Sequence, residues 1–135
     1  MTTSTVLYSG ELRTVAKHTR SGINIITDAP PDNQGKGEAF SPSDLLATSL
    51  LSCMMTVMGI LAERKGWILD GMEGTVVKIM ADNPRRVSEI QVKLNIPNRD
   101  LSEKDHEMLR HTALTCPVAM SLHPDIKQDI SLVFY

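Results

Sequence analysis

Aromatic side chains are scarce, with one Trp, two Tyr and two Phe in 135 residues (Trp67, Tyr8, Tyr135, Phe40 and Phe134). A core with so few rings has to be packed by aliphatic residues and by the eight methionines. Cysteine is scarcer still, and two in the whole chain exclude the dense disulfide framework of a small secreted domain. Neither sign of charge prevails. A net charge of −2 with 22% charged residues argues against an acidic disordered tail and against a polyanion-binding surface, so no nucleic acid partner is expected. The opening MTTSTVLYSGEL has neither the basic segment nor the apolar segment of a secretory signal, which points to the cytoplasm. At 14.9 kDa the length suits a single domain, residues 1–135.

One long uncharged run is present, the eighteen residues from Leu45 to Ala62, at the lower edge of a membrane-spanning length. Thr48, Ser49, Ser52, Thr56 and Gly59 make it too polar for an isolated lipid-exposed span, so a buried helix is expected and no membrane partner. A helix that is apolar nearly all round needs cover on several sides, more than one small sheet provides. A second copy of the chain is the natural cover.

Punctuation residues divide the rest. Thr5 to Tyr8, Leu12 to His18 and Gly22 to Thr27 alternate enough to be strands, with turns at Ser9-Gly10 and Arg20-Ser21-Gly22. Asp28 to Glu38, with two prolines and two glycines, reads as a loop. Ser41-Pro42-Ser43-Asp44 places a capping serine, a proline at the first helical position and an acid three residues after the cap, opening a helix that should run to Lys65 and stop at Gly66. Gly71 to Ala81 and Val87 to Ile96 read as a hairpin whose second strand puts Ile90, Val92, Leu94 and Ile96 on one face. Ser102 to Asp105 is a second capping box, opening a helix to about Leu114 with Leu109, Thr112 and Ala113 inward. A short helix from Cys116-Pro117 through Leu122 and a strand from Ile126 to Tyr135 complete a βββαββααβ order, an α+β fold.

Two thiols are the candidate chemistry. Cys53 lies within the apolar helix and Cys116 at the start of a short one. A helix start offers unpaired N–H groups that favour a thiolate, whereas an apolar interior disfavours it. Local physics therefore predicts Cys116 to be the more acidic; the alternative is that each is a small buried apolar side chain. His106 and His111 are five apart, point to different helix faces and are expected to be solvated. Without a CxxC or HxxxH pair, no metal is expected. Gly35-Lys36-Gly37 lacks the Lys-Ser/Thr ending of a phosphate loop, and no cofactor is expected.

The block GKGEAFSPSDLLATSLLSCMMTVM, together with TCPVAMSLHP about sixty residues later, resembles the OsmC/Ohr family of osmotically inducible and organic hydroperoxide resistance proteins. The resemblance extends to HTRSGINIITDAPPDNQGKGE before the helix and to the order of elements. It implies an intertwined homodimer with long central helices packed between antiparallel sheets. It also implies a thiol-dependent peroxidase acting on organic hydroperoxides in stress defence. In that scheme Cys53 is the peroxidatic thiol, Cys116 the resolving thiol, and an external dithiol the reductant. In the better-known peroxidases an arginine in an early loop and a glutamate ten residues before the first cysteine support the thiolate. Here Ser43 stands in the glutamate's place with Asp44 beside it, and the hairpin at Tyr8-Ser9-Gly10-Glu11 is too short for the arginine loop. Arg13, Arg20, Asp44 and Glu38 are the candidate substitutes. The rival expectation is a weakly active or non-enzymatic protein that binds a small ligand at the same place.

Overall fold

The alternating N-terminal segments form three strands in the computed structural model, which describes residues 1–135: β1 (Ser4–Gly10), β2 (Arg13–His18) and β3 (Asn24–Asp28). They pair antiparallel in the order β1-β2-β3, with Val6 opposite Ala16 and Ala16 opposite Ile25. The next row, on the other face, is Leu7, Val15 and Ile26. The first turn falls at Glu11-Leu12, two residues beyond the expected Ser9-Gly10. Both of its residues take positive φ, 55° and 63°, which suits the right-handed twist of a two-residue hairpin. The strand reaches Gly10 because a bulge between Tyr8 and Gly10 absorbs a residue.

This sheet belongs to the first of two compact units, Met1–Leu46, the second being Ala47–Tyr135. The first unit has no apolar core of its own. Its buried residues are Thr27, Asp28 and Ser41, while Val6, Leu7, Ile25 and Ile26 stay exposed on the two faces of its sheet.

Helix α1 (Pro42–Lys65) begins as its sequence predicts. The Asp44 N–H donates to Ser41 Oγ at 3.0 Å and the Ser41 N–H donates to Asp44 Oδ2 at 2.9 Å, a reciprocal capping box. It ends at Gly66, whose φ of 74° lets the Trp67 N–H reach back to the Ala62 carbonyl. By length and composition α1 is apolar enough to cross a membrane, a property shared by core helices. In this fold Ala47, Leu50, Leu51, Met54, Met58 and Ala62 form a buried stripe at three- and four-residue spacing, while Ser52, Thr56, Ile60 and Glu63 face outward. The helix therefore carries one partly polar face, where the sequence suggested apolar character nearly all round.

The rest of the second unit consists of β4 (Glu73–Ala81), β5 (Arg86–Ile96), α2 (Glu103–Leu114), α3 (Pro117–Ser121) and β6 (Lys127–Phe134). Its sheet has the order β4-β5-β6. Ile90, Leu94 and Ile96 are fully buried with Val92 nearly so, and Leu109 and Ala113 of α2 close over the same core. The expectation of wholly antiparallel sheets fails at β6, which runs parallel to β5 from Glu89 opposite Lys127 to Ile96 opposite Phe134. Two helices lie between β5 and β6, and such a crossover returns the chain to the starting edge of the sheet, from which only a parallel partner can be laid down.

Candidate functional site

Cys53 lies near the middle of α1, half-buried, with the core methionine Met54 beside it. Cys116 is the residue that caps α3, in extended conformation (φ −64°, ψ 154°), with Pro117 in the first helical position where no N–H is needed. Its sulfur accepts the Ala119 N–H at 3.4 Å, and its side chain is 1% exposed. The fold brings the two thiols near each other, close enough for Cys53 to act on the ionisation of Cys116, and both are free.

Burial pushes the Cys116 thiol above the ordinary thiol range. The Ala119 and Val118 amides pull the other way, and Cys53 adds to the rise. The lowering predicted from its place at a helix start is thus reversed. A five-residue helix has little dipole to offer, and the loss of water around a nearly inaccessible sulfur outweighs one amide hydrogen bond.

The charged candidates sit in the first unit. Arg13 grips Asp28 through two bonds, Nε to Oδ1 at 2.7 Å and Nη2 to Oδ2 at 2.8 Å. Arg13 Nη2 also lies 3.6 Å from Glu38 Oε1, and the Glu38 N–H donates to Asp28 Oδ2 at 3.2 Å. Arg13, with Glu38, is therefore part of a clasp around Asp28, a residue that the sequence placed at the start of a loop and that is in fact 1% exposed. Asp44 serves the α1 cap, and Arg20 is exposed in the β2–β3 turn.

The histidines divide. His111 is exposed as expected, but His106 stacks on Phe134 with ring centroids 3.8 Å apart, its Nε2 lying 3.3 Å from Asn98 Oδ1. It is therefore only partly solvated, because β6 delivers an aromatic ring to one side of it, a pairing that α2 alone cannot reveal. No group of three or more His, Cys, Asp or Glu side chains is arranged to hold a metal ion. A shallow depression lined by Thr75, Gln91, Lys93, Asp129 and Ser131 includes neither cysteine. The Ala119 amide is the contributor that the sequence reading missed; an N-capping position three residues before it was the available signal.

Residues 35–131 match the family model described as OsmC-like protein. A crystal structure from Psychrobacter arcticus 273-4, of a candidate osmotic stress induced and detoxification response protein, is 55% identical with a TM-score of 0.93, over 98% of this chain and 96% of that one. An organic hydroperoxide resistance protein OsmC from Legionella pneumophila shares the fold at 18% identity and a TM-score of 0.72, over 98% of each chain. An OsmC-like protein from Mycoplasma pneumoniae does so at 20% identity and 0.79, over 97% of this chain and 94% of that one. No curated protein matches.

Proposed function

The chain belongs to the OsmC-like protein family, and from that premise we propose that it is a homodimeric, cytoplasmic thiol peroxidase that reduces organic hydroperoxides. The observation that carries this reading is the proximity of its only two cysteines, one half-buried on a long helix and the other buried on a helix cap. Two free thiols near each other have the arrangement a dithiol–disulfide cycle requires, and a reducing compartment would keep them free between turnovers.

The cycle balances as follows. The Cys53 thiolate attacks the outer oxygen of the hydroperoxide, the O–O bond breaks, and that oxygen remains with its hydrogen as a sulfenic acid. The alkoxide leaves and takes the proton of Cys116, becoming the alcohol. The Cys116 thiolate then attacks the Cys53 sulfur, expelling hydroxide and closing the disulfide, which an external dithiol reduces back to two thiols. The high proton affinity of Cys116 suits the second partner better than the first, because a resolving thiol has to stay protonated until the sulfenic acid exists.

The dimer is supported by the first unit, whose sheet exposes large apolar side chains on both faces and buries none. Val6 and Leu7, at 63% and 66% exposure, are adjacent on β1 and point to opposite sides, so one covering surface cannot serve both. Hydroperoxide consumption by the reduced protein with a panel of dithiols tests the activity. Turnover with an organic hydroperoxide, lost on Cys53→Ser, is expected. No turnover with any hydroperoxide would shift the reading to a small-ligand binding protein.

A further inference from the structure

The inward row of β6 is Gln128, Ile130, Leu132 and Phe134, each partly buried, while Lys127, Asp129, Ser131 and Val133 between them are exposed. An amide in a row that otherwise meets the core needs a hydrogen-bond partner there. Gln128 Nε2 donates to the Ala119 carbonyl of α3 at 3.1 Å. We propose that Gln128 is a positioning residue for Cys116: through Ala119 it holds α3, and with it the Cys116 sulfur, in its buried place.

Helix α3 is five residues long, and a helix of that length does not hold its shape by its own backbone bonds. The chain turns extended at Leu122 (φ −75°, ψ 149°), so the Ala119 carbonyl is among those that the end of the helix leaves without a helical N–H. Gln128 supplies the missing donor. Ala119 is 4% exposed, and losing the amide would leave its carbonyl cut off from water. The Ala119 N–H in turn donates to Cys116 Sγ at 3.4 Å. One buried residue is thus held at both of its backbone groups, by Cys116 through the N–H and by Gln128 through the carbonyl. Gln128 is itself anchored, as the register partner of the fully buried Ile90 on β5. A movement of α3 away from β6 has to break the Gln128 bond and carries the Cys116 sulfur out of the core.

The inference rests on the peroxidase reading for what Cys116 does, but its test needs no hydroperoxide. In a full-length Cys53→Ser background Cys116 is the sole thiol, and its rate of reaction with a dipyridyl disulfide reports how often α3 lifts from the core. Gln128→Met keeps the length of the side chain without a donor and should raise that rate about tenfold. Gln128→Glu is the sharper variant, because an ionised carboxylate only accepts whereas a protonated carboxyl can donate to the Ala119 carbonyl. Its rate relative to the Gln128 protein should match that of Gln128→Met at about pH 8 and fall back toward one as pH is lowered to about 4.5. A general loosening of the core would show no such return. Equal rates for Gln128→Met and the Gln128 protein, or a Gln128→Glu ratio that ignores pH, would overturn the proposal. If Gln128→Met does not fold, the pH dependence of Gln128→Glu carries the test alone. With both cysteines present, Gln128→Met should divert a stoichiometric organic hydroperoxide from the disulfide toward sulfinic acid on Cys53. Faster labelling in a protein that consumes no hydroperoxide upholds the positioning role while removing the peroxidase reading. Turnover with unchanged labelling does the reverse.

Discussion

Asp28 and Arg13 face each other across the β2–β3 pair as register partners, and both Asp28 carboxylate oxygens are bonded by the guanidinium. The Arg13 hydrogen bonds hold the Asp28 carboxyl below the usual carboxylate range, against the opposing effect of burial. The folded protein therefore takes up a proton at Asp28 less readily than the unfolded chain does. The stabilisation is fully present above the ordinary Asp value and is lost as pH falls through the lowered one. Asp28→Asn should lower the urea midpoint at neutral pH, and the gap to wild type should narrow as pH is taken down toward about 2. A gap independent of pH would mean that the charge of Asp28 is not what it contributes.

The two cysteines should differ in kind when replaced. Cys53→Ser is expected to abolish hydroperoxide consumption, whereas Cys116→Ser should permit one stoichiometric oxidation and leave a sulfenic acid on Cys53 that dimedone traps. In wild type a stoichiometric organic hydroperoxide should produce a species lighter by two hydrogens, with both cysteines in one linked peptide pair. Sulfinic acid on Cys53 beside a free Cys116 would remove the resolving role.

Sedimentation at micromolar concentration should show a dimer that persists on dilution together with the folded signal. A charge placed on one face of the exposed sheet by Val6→Asp, or on the other by Leu7→Asp, should weaken that dimer in at least one of the two cases, since each side chain is more than 60% exposed in the lone subunit and the partner is expected to cover one of these faces. A folded monomer in wild type would contradict the homodimer.

Gly35 tolerates no side chain. A Cβ there would lie 1.7 Å from the Ala29 carbonyl oxygen, a backbone atom that cannot swing away. The Gly35 N–H meanwhile bonds the Pro30 carbonyl at 2.9 Å, holding the two sides of the loop together. Gly35→Ala should open this loop and lower the midpoint of thermal unfolding, read by calorimetry, and proteolysis should find new cleavage within residues 29–38.

The core of the second unit makes a quantitative case. Leu109 is fully buried in the core cluster that also includes α1 and β5 residues, so Leu109→Ala should cost about 2–5 kcal/mol. Met54→Leu, which nearly conserves volume at another fully buried position, should cost less than about 1.5 kcal/mol in the same denaturant titration.

What the sequence determined by itself was local. Ser41-Pro42-Ser43-Asp44 and Ser102-Glu103-Lys104-Asp105 announced their helices because a cap is made among residues three apart, and both capping boxes form as read. Ile90, Val92, Leu94 and Ile96 announced the buried face of β5 because a strand repeats every second residue. Tertiary structure decided the rest, where the partner is distant in sequence. The carboxylate at position 28 became a buried clasp only when β2 brought Arg13 opposite it, and His106 gained a partial cover only when β6 placed Phe134 against it. The proton affinity of Cys116 shows the division most directly: its helix-capping place argues for a lower value, but burial and Cys53, sixty-three residues away in the chain, set the sign. Desolvation depends on everything packed around a sulfur, and no local pattern encodes that surrounding.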